Sequence, residues 1–130
     1  MFPIHYYDLD FTQVFVFDTF IISQIREGFV LQPQHNEQLR DIIRKHFATK
    51  RLVYIANRIH AYNVSPMTYM ETSKIENLVG MCIVTTKGAS QETAHFESTF
   101  YKKKFHITHS LLDAMVWSEA VVDAAGVTDI

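Results

Sequence analysis

Cysteine is all but missing from this chain. Its one thiol, Cys82, excludes an intrachain disulfide and fits a reducing compartment. Four Gly and three Pro leave little material for a flexible linker or a low-complexity tract, so residues 1–130 read as one domain. Long apolar runs are lacking too. Asp, Gln, Arg or Lys interrupts each stretch well before the roughly 20 residues needed to span a bilayer. Met1-Phe2-Pro3-Ile4-His5 has neither the basic region nor the apolar segment of a signal peptide, and the expectation is a cytoplasmic protein. Basic excess is absent as well. With 12 Lys and Arg against 14 Asp and Glu, the net charge is −2. No patch is left to neutralise a phosphate backbone, so nucleic acid is not expected as a partner. The dense basic run Lys102-Lys103-Lys104 reads as a solvated helix end beside an apolar segment, the alternative being an anion-binding patch.

What the chain has in quantity is Phe, 10 residues within a 48% hydrophobic composition. At this length that is enough for a real, aromatic-rich core. The residues from Phe11 to Phe17 alternate, with Phe11, Gln13, Phe15 and Phe17 on one face and Thr12, Val14 and Val16 on the other. Period two with aromatic and β-branched residues predicts a strand. Asp18-Thr19 supplies a tight turn and Phe20 to Ile25 a second strand, forming a hairpin that Phe29-Val30-Leu31 extends.

After Pro33 the period changes. Leu39, Ile42, Ile43 and Phe47 recur at helical spacing with charges between them, which predicts an amphipathic helix over 33–49. Arg51 to Asn57 is short, continuous and β-branched, as a strand buried on both faces would be. Ser65-Pro66 opens a second helix running to about Glu76 or Asn77, with Ser as cap and Pro in the first turn. Leu78 to Thr86 is the next buried strand, Gln91 to Lys102 a third helix, and Phe105 to Thr108 a short strand. Ser110 and Asp113 form a short capping box for the last helix, and Ala124 to Ile130 reads as a fraying tail. The expected fold is therefore α/β: a mixed, mostly parallel sheet of about five strands with four helices, its core spanning about 11–122.

Three stretches carry a family resemblance. They are Val53-Tyr54-Ile55-Ala56-Asn57-Arg58 through Tyr62-Asn63-Val64-Ser65-Pro66, then Glu76-Asn77-Leu78-Val79-Gly80, then Phe105-His106-Ile107-Thr108-His109-Ser110 through Trp117. Together with the element order they resemble the SpoIIAA-like branch of the STAS fold, in particular its small uncharacterised bacterial members. The resemblance implies a regulatory, partner-binding or small-ligand-binding domain. It also implies that a Ser at the start of the helix after the third strand is a phosphosite. Ser65 takes that place, within Asn63-Val64-Ser65-Pro66 where the family carries Asp-Ser. A phosphate there would meet the positive end of a helix, whereas the plainer role of Ser65 is an N-cap.

The loop after the third strand is where an open α/β sheet would bind a ligand. Arg58, His60, Tyr62 and Asn63 place a guanidinium, an imidazole, a phenol and an amide within six residues, a set suited to a carboxylate or phosphate. The alternative is a polar loop that satisfies its own backbone. Seven histidines, His5, His35, His46, His60, His95, His106 and His109, raise the question of a metal. His106 and His109 straddle a strand end and a cap, no HExxH or second cysteine accompanies them, and no metal or cofactor is expected. Cys82 among Met81, Ile83 and Val84 reads as a small buried hydrophobe; Trp117, Tyr69 and Met70 read as packing. No nucleophile–base pair or phosphate-binding Gly loop is legible. The expectation is a non-enzymatic domain, regulatory or partner-binding, with a protein partner or a homodimer. The alternative is a small-molecule or lipid-binding domain with an apolar cavity beneath the helices and Arg58 at its mouth.

Overall fold

The computed structural model describes residues 4–60, 62–86 and 88–127. Their elements are β1 (His5–Asp8), β2 (Thr12–Val16), β3 (Phe20–Ile25), β4 (Val30–Leu31), a 3-10 turn at Pro33–His35, and α1 (Asn36–His46). There follow β5 (Leu52–Asn57), β6 (Asn63–Val64), α2 (Pro66–Thr72), β7 (Leu78–Val84), α3 (Ala89–Ser98), β8 (Lys104–Thr108) and α4 (Leu111–Val127). Six strands share one sheet in the order β1-β2-β3-β5-β7-β8. The first three are antiparallel, and β3, β5, β7 and β8 run parallel. The mixed, mostly parallel sheet expected from the sequence is present, with one strand more.

That extra strand is β1. His5-Tyr6-Tyr7-Asp8 has no apolar alternation to announce it. It exists because its backbone pairs with β2, from His5 opposite Val16 to Asp8 opposite Gln13, and because the Tyr7 hydroxyl meets Nε2 of His46 on α1. The alternation of β2 is as expected. Val14 and Val16 join Ile42, Ile43 and Phe47 of the α1 side, while Phe15 and Phe17 face the cluster around α4. In β5 the same parity puts Leu52 toward α1 and Val53 and Ile55 toward α4, all three fully buried. Further apolar clusters gather Ala56, Ile83 and Ala94 beneath α3, and Tyr69, Met81 and Tyr101 beside α2. Helix α4 lies across the other face, chiefly over β3, β5, β7 and β8.

Several local expectations change. Val30–Leu31 does not extend the hairpin; it pairs in parallel with Asn63–Val64 in a separate two-stranded sheet. The second helix stops at Thr72 rather than near Asn77, because the chain must turn to bury Ile75 before Leu78 enters the sheet. Ser65 is the N-cap position, yet its hydroxyl makes no cap bond. Thr68 N–H is met instead by the Ser65 carbonyl, and the Thr68 hydroxyl donates to Leu31 O. The third helix runs over Ala89–Ser98, ending before Lys102. Lys103 is no solvated helix end: its ammonium donates to the carbonyls of Ile75 and Leu78. Ser110 does cap α4, accepting from Asp113 N–H at 3.2 Å. Asp113 does not complete the box; its carboxylate accepts from His106 Nε2 instead. The last helix continues to Val127 where a fraying tail from Ala124 was expected; Thr128 to Ile130 lie outside the described residues.

Two measurements probe this packing. A Cβ at Gly80 would lie 3.2 Å from Trp117 Cη2 and 3.4 Å from Val121 Cγ1. Gly80→Val is expected to push α4 off β7 and cost roughly 1–3 kcal/mol, read as a lower urea midpoint. Burial, with the nearby charges of His5 and Lys45, holds the His46 imidazole below its ordinary 6.5. The folded state then binds fewer protons than the unfolded chain, so stability rises with pH and is lost as pH falls below 6.5. Melting temperature should drop through that range, and His46→Gln should flatten the drop.

Candidate functional site

Arg58 follows β5 directly, its N–H bonded to Val84 O at 2.9 Å. That anchor turns the side chain toward α3 instead of out into water. There it meets Glu97 in a bidentate pair, Nη1 to Oε1 at 2.6 Å and Nη2 to Oε2 at 3.0 Å. The two side chains are only 6% and 7% exposed. The Tyr69 hydroxyl donates to Glu97 Oε1 at 3.2 Å, and the guanidinium stands 4.5 Å from the centroid of the Tyr62 ring. Charges so buried need a partner that is both close and hydrogen-bonded, and here each has one. Glu97 and the tyrosines offset the desolvation of Arg58 and keep it cationic. Burial and the negative charge of Glu97 push the Tyr69 phenol well above its ordinary value.

The four residues singled out in the sequence do come together. Arg58, Ile59, His60, Tyr62 and Asn63 line one cleft of about 300 Å³, with Thr86 after β7 and Ser90 and Thr93 of α3 closing it. The cleft lies at the carboxyl ends of β5 and β7, where the parallel strands of such sheets present their ligand loops. Sequence reasoning missed Glu97. Its signal was helical spacing: Ala94, Glu97 and Tyr101, three and four residues apart, are all buried and mark the inward stripe of that segment. Tyr69 was read as packing, and the structure adds its bond to Glu97.

Ser65 is partly buried at the start of α2, a helix of 7 residues, away from the cleft lining. His106 stacks on Trp117 at 5.1 Å between ring centroids and bonds Asp113, while His109 Nδ1 bonds Thr85 O. The two histidines thus serve different partners. Cys82 is fully buried, and burial pushes its thiol up to about 12. Beneath α1 and α2 are two small cavities that share Leu31, Asn36, Leu39 and Tyr54 in their linings, each of about 30 Å³. That is room for a water or two, so among the described residues these two cavities beneath the helices are far short of what an acyl chain needs.

The ion pair makes a direct test. Glu97→Ala strands a buried guanidinium and is expected to cost about 3–5 kcal/mol in chemical denaturation. Arg58→Met combined with Glu97→Leu should recover most of that loss. A cost for Glu97→Ala below about 1 kcal/mol, the range of surface pairs, would mean that the pair is solvated.

Comparison with known proteins adds one piece. No family model matches the chain, and no curated protein does. The fold, however, is similar to a solved structure from Shewanella loihica, an uncharacterised protein of the DUF3478 family with a SpoIIAA-like fold. The two align with a TM-score of 0.52 at 11% identity, over 87% of this chain and 90% of that one. At that identity the likeness speaks for the architecture, not for an activity. The chain has a SpoIIAA-like fold.

Proposed function

We propose that this chain is a non-catalytic interaction domain of the regulatory kind, and that it pairs with a second copy of itself across the outer face of α4. One observation carries the reading. Helix α4 is rich in apolar residues on every side, and a helix of that composition is ordinarily buried on every side. Here Ala114, Ser118 and Val121 face the sheet and are buried. Leu112 and Val116, one turn apart on the opposite side, are 71% and 62% exposed, and Ala120 continues their stripe. Large apolar side chains grouped this way mark interaction surfaces more often than scattered ones do.

The neighbouring sheet surface supports the same reading. Helix α4 packs mainly on β3, β5, β7 and β8, and on its side of β1 and β2 the half-exposed Tyr6 lies against Phe15 at 5.0 Å. That step adds a half-exposed aromatic surface next to α4, on the same side of the sheet as the Leu112–Val116 stripe. The Arg58–Glu97 pair fits a binding domain as well, since each charge is committed to the other and neither is left over for acid–base work. Glu119 and Asp123 flank the stripe, and in a symmetric pair they would repel across it.

The test is the oligomeric state of the full chain by sedimentation or native mass measurement. A dimer is expected at micromolar concentration, tightened by added salt as the flanking acids are screened. Leu112→Glu with Val116→Glu, both on the surface, should give a folded monomer whose melting temperature no longer depends on protein concentration. A wild-type chain that stays monomeric at hundreds of micromolar, or a double variant that still dimerises, would overturn the reading.

A further inference from the structure

We infer that β1 is an acid-released strap, held at neutral pH by the contact of His5 and Tyr7 with His46 and lifted from β2 as the imidazoles take up protons. Little else holds the strand. Of its four residues only Tyr7 is partly buried, so β1 covers little apolar surface of its own. It is an edge strand, laddered to β2 on one side alone. At its far end Asp8 pairs with Arg26 at 3.1 Å, but both side chains are more than half exposed, and such pairs contribute little.

The near end is held by groups whose contacts depend on protons. His5 and Tyr7, two apart and so on one face of the strand, both reach His46 in the last turn of α1. The His5 and His46 rings lie 4.3 Å apart between centroids, and the Tyr7 hydroxyl meets His46 Nε2. A neutral imidazole can stack on its neighbour and accept the phenol hydrogen at Nε2. A protonated His46 has no lone pair left there. With a proton on each ring, two cations face each other at contact distance. The charges that act on His46 are those of His5 and of Lys45 on its own helix; both are cationic and no carboxylate offsets them. In the turns after α1 and β2, Lys50 and Asp18 are committed to each other at 2.8 Å. Burial and these cations hold the His46 imidazole below its ordinary 6.5. The strapped form therefore binds protons less readily than a form with β1 lifted away, and a pH falling below 6.5 favours release. Release uncovers the edge of β2, Thr12-Gln13-Val14-Phe15-Val16, a stretch without a charge whose ladder groups are then open.

The experiment follows amide hydrogen exchange of the full chain at about pH 7.5 and about pH 5.5, either side of the ordinary histidine range. Rates are compared as protection factors, so the pH dependence of the exchange chemistry itself cancels. The β1–β2 ladder, with Ile4 N–H to Val16 O among its bonds, should be protected at least about tenfold less than Val53 and Ile55 of β5 at either pH. Its protection should fall at least about threefold at the lower pH. It should not respond to small additions of urea, because lifting one strand exposes little surface. His46→Gln keeps a partner for the Tyr7 hydroxyl without a titrating ring, and should abolish the fall. Arg26→Gln, which breaks the far pair, should keep it. The inference fails if ladder protection is independent of pH, or if it tracks β5 in urea so that the strand opens only by global unfolding. It fails equally if His46→Gln retains the fall.

Discussion

Leu52, Val53 and Ile55 are shut off from water on both faces of β5, and much else in the molecule follows from that double burial. A strand at the centre of a parallel sheet needs apolar cover above and below, so the chain must lay helices on both sides before it can return to the next strand. Helices α1, α2 and α3 supply one side and α4 the other. Three helices share one face and a single helix carries its opposite, which is why α4 must be apolar enough to close a core by itself. The same apolar content leaves Leu112 and Val116 facing outward.

The parallel order also sets where polar chemistry collects. Chain turns at the carboxyl ends of β5 and β7 gather Arg58, Tyr62, Asn63, Ser90 and Thr93 around one cleft. Within that group the Arg58–Glu97 pair ties the loop after β5 to the last turn of α3, across 39 positions of sequence. An isolated guanidinium could not remain in so buried a place. Glu97 takes one N–H from each Nη of Arg58 and neutralises its charge in place.

Elsewhere the structure spends polar groups on closing the fold. Lys103 bonds the carbonyls of Ile75 and Leu78, holding the turn between α2 and β7 against the approach to β8. The side chain of Asn36 donates to Thr68 O and accepts from the Thr72 hydroxyl, joining α1 to α2. These bonds satisfy buried backbone and side-chain groups that would otherwise be orphaned where helices end.

How much of this was legible in the sequence depends on whether a feature is local. The β2–β3 hairpin, the α1 stripe of Ile42 and Ile43, the buried runs of β5 and β7 and the Ser110 cap all write their period or their chemistry into neighbouring residues, so the sequence alone determined them and the SpoIIAA-like order they imply. The Arg58 loop was legible too, because an α/β sheet places its loops predictably. Features that exist only through distant partners were not legible. β1 has no alternation of its own and is a strand because β2 offers it a ladder. β4 and β6 are two residues each and make sense only side by side. Lys103 looks like any exposed lysine until two carbonyls from another turn meet it. Glu97 could be assigned to an inward stripe but not to Arg58. Periodicity reports which face is buried, whereas the identity of the group waiting there is decided only when the chain folds.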